Sequence, residues 1–226
     1  MWTILFDIDG TLIRTPNAGM SAMGRAVTQH YGIEEIPDIR VHGCTDRGIV
    51  NELFSALNLC LDADRSDFMA TYCDFLKAKL AKDGGEVLPG VVKLLDTLQQ
   101  RDDVALGILT GNARQPADIK LVHFGLDHYF DFGGYGDDFP DRNDVAAETA
   151  TAAQKALGDR FDVSKAWVIG DTVNDIRCAR SIGAKVLTVE TGGDCRAALE
   201  KSAPDFLLKD LNHVSCWLDS LTPATT

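Results

Sequence analysis

The stretch TILFDIDGT, residues 3–11, carries the clearest structural signal in the chain. Its first four residues, 3–6, are apolar or β-branched and predict a short strand that is buried on both faces. The strand ends at Asp7, and a second aspartate, Asp9, is followed at once by Gly10. Taken alone, Asp-x-Asp-Gly is as compatible with an ordinary turn as with a functional site. Its meaning therefore depends on the residues at the ends of the other strands.

Further apolar runs of strand length recur along the chain. They predict strands at 104–109, 166–169 and 185–189, with weaker candidates at 130–135 and 205–208. The runs show little polar alternation, which is typical of a parallel sheet with both faces covered.

Helical patterns separate several of these strands. The spacing of apolar residues predicts helices over 91–101, 144–157 and 174–182. Strands alternating with helices predict an α/β fold, here a doubly wound, Rossmann-like parallel sheet. In such sheets, ligands bind at the carboxyl ends of the strands, near the point where the strand order reverses.

One long stretch departs from this alternation. Residues 16–86 contain no predicted strand, and helical spacing recurs within them at 19–31, 46–57 and 64–82. We interpret this stretch as an α-helical cap domain inserted into an α/β core domain. The core domain would then be formed by the two flanking segments, 1–15 and 87–226.

The composition combines an ordinary apolar content with an excess of acid. The 226 residues include 22 Lys and Arg against 34 Asp and Glu, giving a formal net charge of −12. Nucleic acids and anionic membranes are bound through clustered basic residues, so we expect neither as a partner. No export signal or transmembrane run is recognisable, and the six cysteines form no C-x-x-C pair. We therefore expect a cytoplasmic protein with reduced thiols.

Polar clusters occur directly after three of the predicted strands. Asp7 and Asp9 come after the first, residues 110–112 (TGN) after the second, and Asp171 and Asp175 after the third. In a parallel sheet these strand ends meet at one edge, where several carboxylates repel each other unless a cation lies between them. Oxygen-only ligation points to Mg²⁺.

Three segments together resemble motifs I, II and IV of the haloacid dehalogenase-like hydrolases. They are FDIDGTL at 6–12, LTGN at 109–112 and IGDTVND at 169–175. The phosphoglycolate phosphatase-like branch, with a helical cap after motif I, is the most similar, and the resemblance covers nearly the whole chain. It implies a Mg²⁺-dependent phosphatase acting on a small phosphorylated metabolite.

The resemblance also implies roles for individual carboxylates. Asp7 would be the nucleophile that forms an aspartyl-phosphate, and Asp9 would be the general acid and base. Mg²⁺ would be held by Asp7, the backbone carbonyl of Asp9, and Asp171. Asp175 would act directly, through water, or as an orienting residue.

The remaining implied contacts concern the phosphoryl group. The family's third motif requires a Lys or Arg, and the chain has no Lys-Pro pair there. Arg142, within FPDRN at 139–143, is our candidate, because a guanidinium binds phosphate through two N–H groups. Lys155 and Lys165 are less well placed. The other residues expected to bind phosphoryl oxygens are Gly10, Thr11, Thr110, Gly111 and Asn112.

The cap segment VHGCTDR, residues 41–47, is similar to the loop that faces the active site in relatives. His42 or Arg47 would then meet the non-phosphate end of a substrate. A helix N-cap formed by Thr45 or Asp46, with Arg47 exposed, is an equally good interpretation.

The sequence leaves several alternatives open. A phosphomutase of the β-phosphoglucomutase kind would share the core and the cap, and a non-catalytic module that binds phosphorylated ligands is the alternative outside enzymes. Arg14-Thr15 stand where phosphoglycolate phosphatases commonly carry an acidic residue, so the resemblance does not extend to the substrate. The sequence does not decide between a monomer and a homodimer.

Overall fold

Strands and helices alternate along most of the backbone. The computed structural model describes residues 1–39, 41–60 and 65–221. The strands are β1 (Trp2–Phe6), β2 (Ile13–Arg14), β3 (Glu86–Val87), β4 (Val104–Leu109), β5 (Phe132–Gly134), β6 (Ala166–Gly170), β7 (Lys185–Val189) and β8 (Phe206–Leu208). The helices are α1 (Ala18–Tyr31), α2 (Asp46–Ala56), α3 (Ser66–Asp83), α4 (Val91–Gln99), α5 (Arg114–His123), α6 (Arg142–Leu157), α7 (Val173–Ser181), α8 (Arg196–Lys201) and α9 (Ser215–Ser220).

Six of the strands form one parallel sheet in the order β5-β4-β1-β6-β7-β8. From β1 the chain adds β4 and β5 on one side of the sheet, then returns to add β6, β7 and β8 on the other side. The strand order therefore reverses at β1. Phe6 near the end of β1 lies opposite Ile108 of β4 and Ile169 of β6, which brings the three strand ends level. This arrangement confirms the predicted doubly wound α/β fold.

Both faces of the sheet are covered, which explains the continuous apolar runs. Ile4 and Phe6 point to one face, where they pack with residues of α4, α5 and α9. Leu5 points to the opposite face and packs with residues of α6, α7 and α8. Burying one large apolar side chain contributes about 1.5–3 kcal/mol to the free energy of folding. Successive residues of β1 point to opposite faces, and each of them therefore stabilises the sheet.

The predicted helical insertion is present as α1, α2 and α3. These helices share a separate cluster of buried side chains that includes Met23, Leu53, Phe54, Tyr72 and Leu76. The division of the chain into two domains stays a prediction. The first residue of the predicted helix 64–82, Asp64, lies outside the described residues.

The two connections between the insertion and the sheet pair with each other. Ile13 lies opposite Val87 and Arg14 opposite Glu86 in an antiparallel ribbon, β2 with β3. This ribbon was not predicted, because two residues are too few to give a strand pattern.

Some helices also differ from the prediction. Helix α6 begins at Arg142 rather than Asp144, because the Asp141 side chain caps it by accepting from the Asn143 N–H at 2.8 Å. Helix α5 was not predicted, and it carries Pro116 in its first turn, where the missing N–H costs nothing. Helices α8 and α9, six residues each, were also not predicted. Among the described residues, none of the helices is both long enough and apolar enough to cross a bilayer.

The buried aromatic pair under α9 provides a test of this packing. Trp217 is fully buried, and its ring meets Trp167 edge to face at a centroid distance of 5.8 Å. We expect Trp217→Ala to lower the free energy of unfolding by about 3–5 kcal/mol through the cavity that it leaves. Val122→Ala, at a position 61% exposed, is the control and should change it by less than about 0.5 kcal/mol. Urea denaturation measures both, and equal effects would contradict the packing.

Candidate active site at the carboxyl edge of the sheet

Three carboxylates from two strand ends meet at the edge of the sheet. Asp7 comes directly after β1, Asp171 directly after β6, and Asp175 lies in the first turn of α7. Each is buried, and each offers an oxygen within 4.8 Å of the others. Burial raises the pKa of Asp7 to about 7, with Arg142 opposing the rise and Asp175 adding to it. Burial, and then the charges of Asp175 and Asp7, raise the pKa of Asp171 well above its usual range.

Both carboxylate oxygens of Asp171 accept hydrogen bonds. Its Oδ1 accepts from the Thr11 hydroxyl at 3.1 Å, and its Oδ2 accepts from the Gly193 N–H at 2.7 Å. A Cβ on Gly10 would lie 2.5 Å from Asp171 Oδ2, and one on Gly192 would overlap the same oxygen. The two glycines are therefore required for the backbone to fit against the carboxylate.

Asp175 has both carboxylate oxygens engaged. Its Oδ2 accepts from the Thr172 hydroxyl at 2.6 Å and from the N–H groups of Thr172 and Asp171 at 3.0 and 3.2 Å. With the Thr172 side chain it forms a capping box at the start of α7. Its Oδ1 accepts from Nη2 of Arg142. These contacts make Asp175 an anchor for the loop that carries Asp171.

Arg142 bridges the carboxylates. It occupies the first turn of α6 with its side chain 6% exposed, and its Nη1 lies 3.5 Å from Asp7 Oδ1. Burial lowers the pKa of Arg142, but the carboxylates of Asp7 and Asp175 raise it by more, so the guanidinium stays charged. Lys155 and Lys165 are exposed. Of these three predicted candidates, the structure brings only Arg142 to the carboxylates.

Asp9 has a separate set of partners. Its Oδ2 accepts from Lys120 Nζ at 2.6 Å and from Asn112 Nδ2 at 2.8 Å, while its side chain stays 42% exposed. Lys120 also donates to Asn112 Oδ1 at 2.7 Å, which closes a network of three residues. Lys120 is almost completely buried. Buried lysines are rare unless they are paired, and Asp9 provides the pairing carboxylate here.

Lys120 was not predicted from the sequence. The residue lies on the buried face of α5 together with Pro116, Ala117 and Leu121. A lysine on the apolar face of a helix is the signal that could have revealed it, but α5 itself was not predicted.

The loop after β4 lies beside this network. The Thr110 hydroxyl oxygen accepts from the N–H and from the Nδ2 of Asn112, at 3.3 and 2.9 Å. The Gly111 carbonyl accepts from the Asp46 N–H at 2.7 Å, so this loop contacts the start of α2. A Cβ on Gly111 would overlap the Cys44 carbonyl, which makes glycine necessary there.

A cavity of about 200 Å³ lies between the strand ends and the helical insertion. Ionisable and polar side chains of the sheet edge form one wall: Asp7, Asp9, Asn112, Lys120, Arg142 and Asp171. The insertion contributes the opposite wall, which includes Met20, Met23, His42, Asp46, Ile49 and Tyr72. The cavity therefore places a charged wall opposite one that combines apolar side chains with the polar groups of His42, Asp46 and Tyr72.

The predicted phosphate contacts of Gly10 and Thr11 are placed differently. The Gly10 N–H donates to the Ile13 carbonyl at 2.8 Å, and the Thr11 N–H donates to the Ile8 carbonyl at 3.4 Å. Both N–H groups therefore close the loop after β1. In this structure the two residues support Asp171, and neither lines the cavity.

Asp46 is the buried carboxylate of the insertion wall. Its Oδ2 accepts from the Ala113 N–H at 2.8 Å, and burial raises its pKa to about 6, with Lys120 opposing the rise. Thr45, not Asp46, provides the N-cap of α2, because its hydroxyl oxygen accepts from the Gly48 N–H at 3.0 Å.

The two other candidates from the cap loop are placed apart. His42 lines the cavity, whereas Arg47 lines a neighbouring cavity of about 130 Å³. Of the two, the structure therefore places only His42 where it can meet a substrate bound at the sheet edge.

Comparison with known proteins places this geometry in a family. A model described as haloacid dehalogenase-like hydrolase matches residues 4–189. A phosphoglycolate phosphatase of Caulobacter vibrioides is 31% identical over 84% of this chain and 79% of its own length. One from Agrobacterium fabrum is 27% identical over 97% of this chain and 90% of its own length. The structure of a hydrolase from Pseudomonas syringae matches with a TM-score of 0.73 at 22% identity, over 99% of this chain and 100% of that chain.

The chain belongs to the haloacid dehalogenase-like hydrolase family, since the family model spans most of its length. More narrowly, it is an enzyme of the phosphoglycolate phosphatase-like branch, and its reaction class is that of a phosphatase. Both predictions are confirmed. The roles of the individual residues stay predictions.

The close fit around Asp171 can be tested with two glycines. Gly10 and Gly125 both have left-handed backbones, with φ of +84° and +68°, so an alanine at either costs roughly 1–2 kcal/mol. Only at Gly10 would the Cβ meet Asp171, since nothing lies within 4 Å of a Cβ at Gly125. We expect Gly10→Ala to lower p-nitrophenyl phosphate hydrolysis at least ~10-fold, because displaced active-site groups lose their geometry. Gly125→Ala should leave it near wild type.

Thermal unfolding of both variants separates folding from catalysis. A similar fall in Tm with a different loss of activity is the expected result. Equal losses of activity would contradict the role of Gly10 in holding Asp171.

Proposed function

We propose that the protein hydrolyses small phosphate monoesters with Mg²⁺, through a phosphorylated Asp7. The observation that carries the proposal is the position of Asp7. It is buried at the switch point of the sheet, with Arg142 at 3.5 Å, Asp171 in the same cluster, and Asp9 on the same cavity wall. A nucleophile, a cation and a second carboxylate are the groups that phosphoryl transfer to an aspartate requires.

The donor set fits a hard divalent cation. Three buried carboxylates face one guanidinium, so their negative charge is only partly compensated. Asp7 and Asp171, with the Asp9 backbone carbonyl, would hold Mg²⁺, which when bound offsets the charge of the phosphoryl oxygens. Asp175 acts as a positioning residue in this proposal, because it is fully buried, does not line the cavity and pairs with Arg142, whereas Asp171 lines the cavity.

The two aspartates of the first loop divide the chemistry. A carboxylate oxygen of Asp7 attacks phosphorus while the bond between phosphorus and the alcohol oxygen breaks. The Asp9 carboxyl donates its proton to the leaving alcohol, then accepts a proton from the water that attacks the phosphorylated Asp7. That second attack releases inorganic phosphate and restores the Asp7 carboxylate. Lys120 and Asn112 keep the Asp9 carboxylate in place.

Arg142 and the loop after β4 would bind the phosphoryl oxygens. The guanidinium of Arg142 already lies against Asp7, and Gly111 and Asn112 line the cavity. The Thr110 hydroxyl accepts twice from Asn112, which leaves its proton to donate. Thr110 is fully buried and does not line the cavity, so Gly111 and Asn112 are better placed than Thr110 to contact the phosphoryl group.

Removal of the nucleophile is the direct test. We expect Asp7→Asn to lower kcat for p-nitrophenyl phosphate at least ~1,000-fold, because the whole reaction passes through that carboxylate. EDTA should abolish wild-type activity, and added Mg²⁺ should restore it. Asp102→Asn, an exposed carboxylate in the turn before β4, is the control and should keep full activity. Normal turnover by pure Asp7→Asn protein would exclude Asp7 as the nucleophile.

The role of Arg142 is tested by changing its charge and its shape separately. Arg142→Gln leaves Asp7 and Asp175 without their cation, so kcat/KM should fall at least ~100-fold. Arg142→Lys keeps the charge but cannot reach both Asp7 and Asp175 with one planar group. Its kcat/KM should therefore lie between those of the wild type and Arg142→Gln.

Arg177→Gln removes an exposed arginine of α7 and serves as the control. Steady-state kinetics are measured for all three variants, with circular dichroism to confirm folding. Activity near wild type in Arg142→Gln would remove Arg142 from the proposed phosphoryl site.

A further inference from the structure

We infer that the substrate is a phosphate monoester of a neutral, hydroxylated alcohol rather than of a hydroxy acid. The inference rests on the proposed function and concerns the part of the substrate beyond the phosphoryl group. Four observations support it: the charge of the cavity wall, the partners of its two cations, the chemistry of the insertion wall, and the placement of the predicted specificity residues.

The charge of the cavity is already negative before a substrate enters. Among the described residues that line it, four are aspartates and two are Lys or Arg: Asp7, Asp9, Asp46 and Asp171 against Lys120 and Arg142. A divalent cation would bring these charges close to balance, and the phosphoryl group would then restore a negative excess. A carboxylate on the same substrate would add a further negative charge in a partly enclosed space, where like charges interact strongly.

Both cations of the cavity already pair with carboxylates of the enzyme. Lys120 donates to Asp9 and to Asn112, and Arg142 lies between Asp7 and Asp175. A substrate carboxylate would therefore have to share either cation with a carboxylate of the enzyme, which weakens the attraction that the cation offers it.

The insertion wall instead fits hydroxyl groups on a short carbon chain. Asp46 is 6% exposed, and within the described residues its Oδ1 accepts no hydrogen bond. The hydroxyl of Tyr72, 1% exposed, likewise has no hydrogen-bond partner there, and both residues line the cavity. A substrate hydroxyl can donate to Asp46 and accept from Tyr72, whereas a carboxylate can only accept and is repelled by Asp46. Met20, Met23 and Ile49 supply apolar contact for the carbons.

Two of the three basic residues that the sequence associates with specificity do not line the cavity. Arg47 lines the neighbouring cavity, and Arg14 pairs with Glu86 at 2.8 Å and with the Thr191 carbonyl at 2.7 Å. His42 lines the cavity on the side of Gly193, and a His42→Gln variant measures its contribution directly.

The experiment compares substrates that differ only at the distal group. 2-Hydroxyethyl phosphate is paired with phosphoglycolate, and glycerol 3-phosphate with 3-phosphoglycerate, so that a hydroxymethyl group replaces each carboxylate. We expect wild-type kcat/KM to be at least ~10-fold higher for the neutral member of each pair, because like charges placed together in a closed site are strongly unfavourable. His42→Gln should keep this ranking.

Two variants locate the discrimination. Asp46→Asn retains the shape but removes the charge, and it should reduce the preference at least ~5-fold by improving hydrolysis of the carboxylates. Tyr72→Phe should lower kcat/KM for the neutral esters but not for p-nitrophenyl phosphate, which has no hydroxyl to bind. Glu52→Gln makes the same charge change at an exposed position of α2 and should alter nothing.

The outcomes separate the inference from the function on which it rests. If p-nitrophenyl phosphate is hydrolysed but the carboxylates are preferred or equally good, the inference is overturned and the phosphatase proposal stands. An unchanged preference in Asp46→Asn also overturns it. If no phosphate ester is hydrolysed with Mg²⁺, the proposed function fails, and the inference fails with it.

Discussion

Repulsion between buried carboxylates is the constraint around which the site is organised. Asp7, Asp171 and Asp175 lie within 4.8 Å of one another, and burial disfavours the charged form of the first two. Arg142 compensates part of this charge from the side of α6. The negative charge that Arg142 leaves uncompensated favours a further positive charge at the site, and in the proposed function Mg²⁺ would supply it.

The sheet topology holds the repelling groups together. Because β4 and β6 flank β1 in register, the loops at their carboxyl ends cannot move apart without breaking strand hydrogen bonds. Inside that frame, Gly10 and Gly192 let the backbone approach Asp171, and the capping box of α7 fixes the loop between β6 and the helix. The packed sheet therefore opposes the repulsion together with Arg142.

The parts that could be predicted from sequence depend on local patterns. Apolar runs ending in Asp7 and Asp171 predict strands whose ends carry carboxylates, and a parallel sheet brings those ends together whatever the details. Lys120 could not be found in this way, because its position depends on which face of α5 is buried. Asp46 and Tyr72 depend on how two helices of the insertion pack over the sheet, a long-range arrangement that no local pattern records.

The insertion and the loops at the sheet edge share hydrogen bonds, so the two walls of the cavity are physically connected. The first N–H groups of α2, which no helix can satisfy internally, donate to carbonyls of the core: Asp46 to Gly111 and Arg47 to Gly136. Asn174 Nδ2, next to the loop that carries Asp171, donates to the Gly43 carbonyl at 2.7 Å. Each such bond contributes only about 0.5–1.5 kcal/mol net, because water can replace it. The insertion wall of the cavity is thus positioned by the same loops that line its sheet edge, through hydrogen bonds that water can replace.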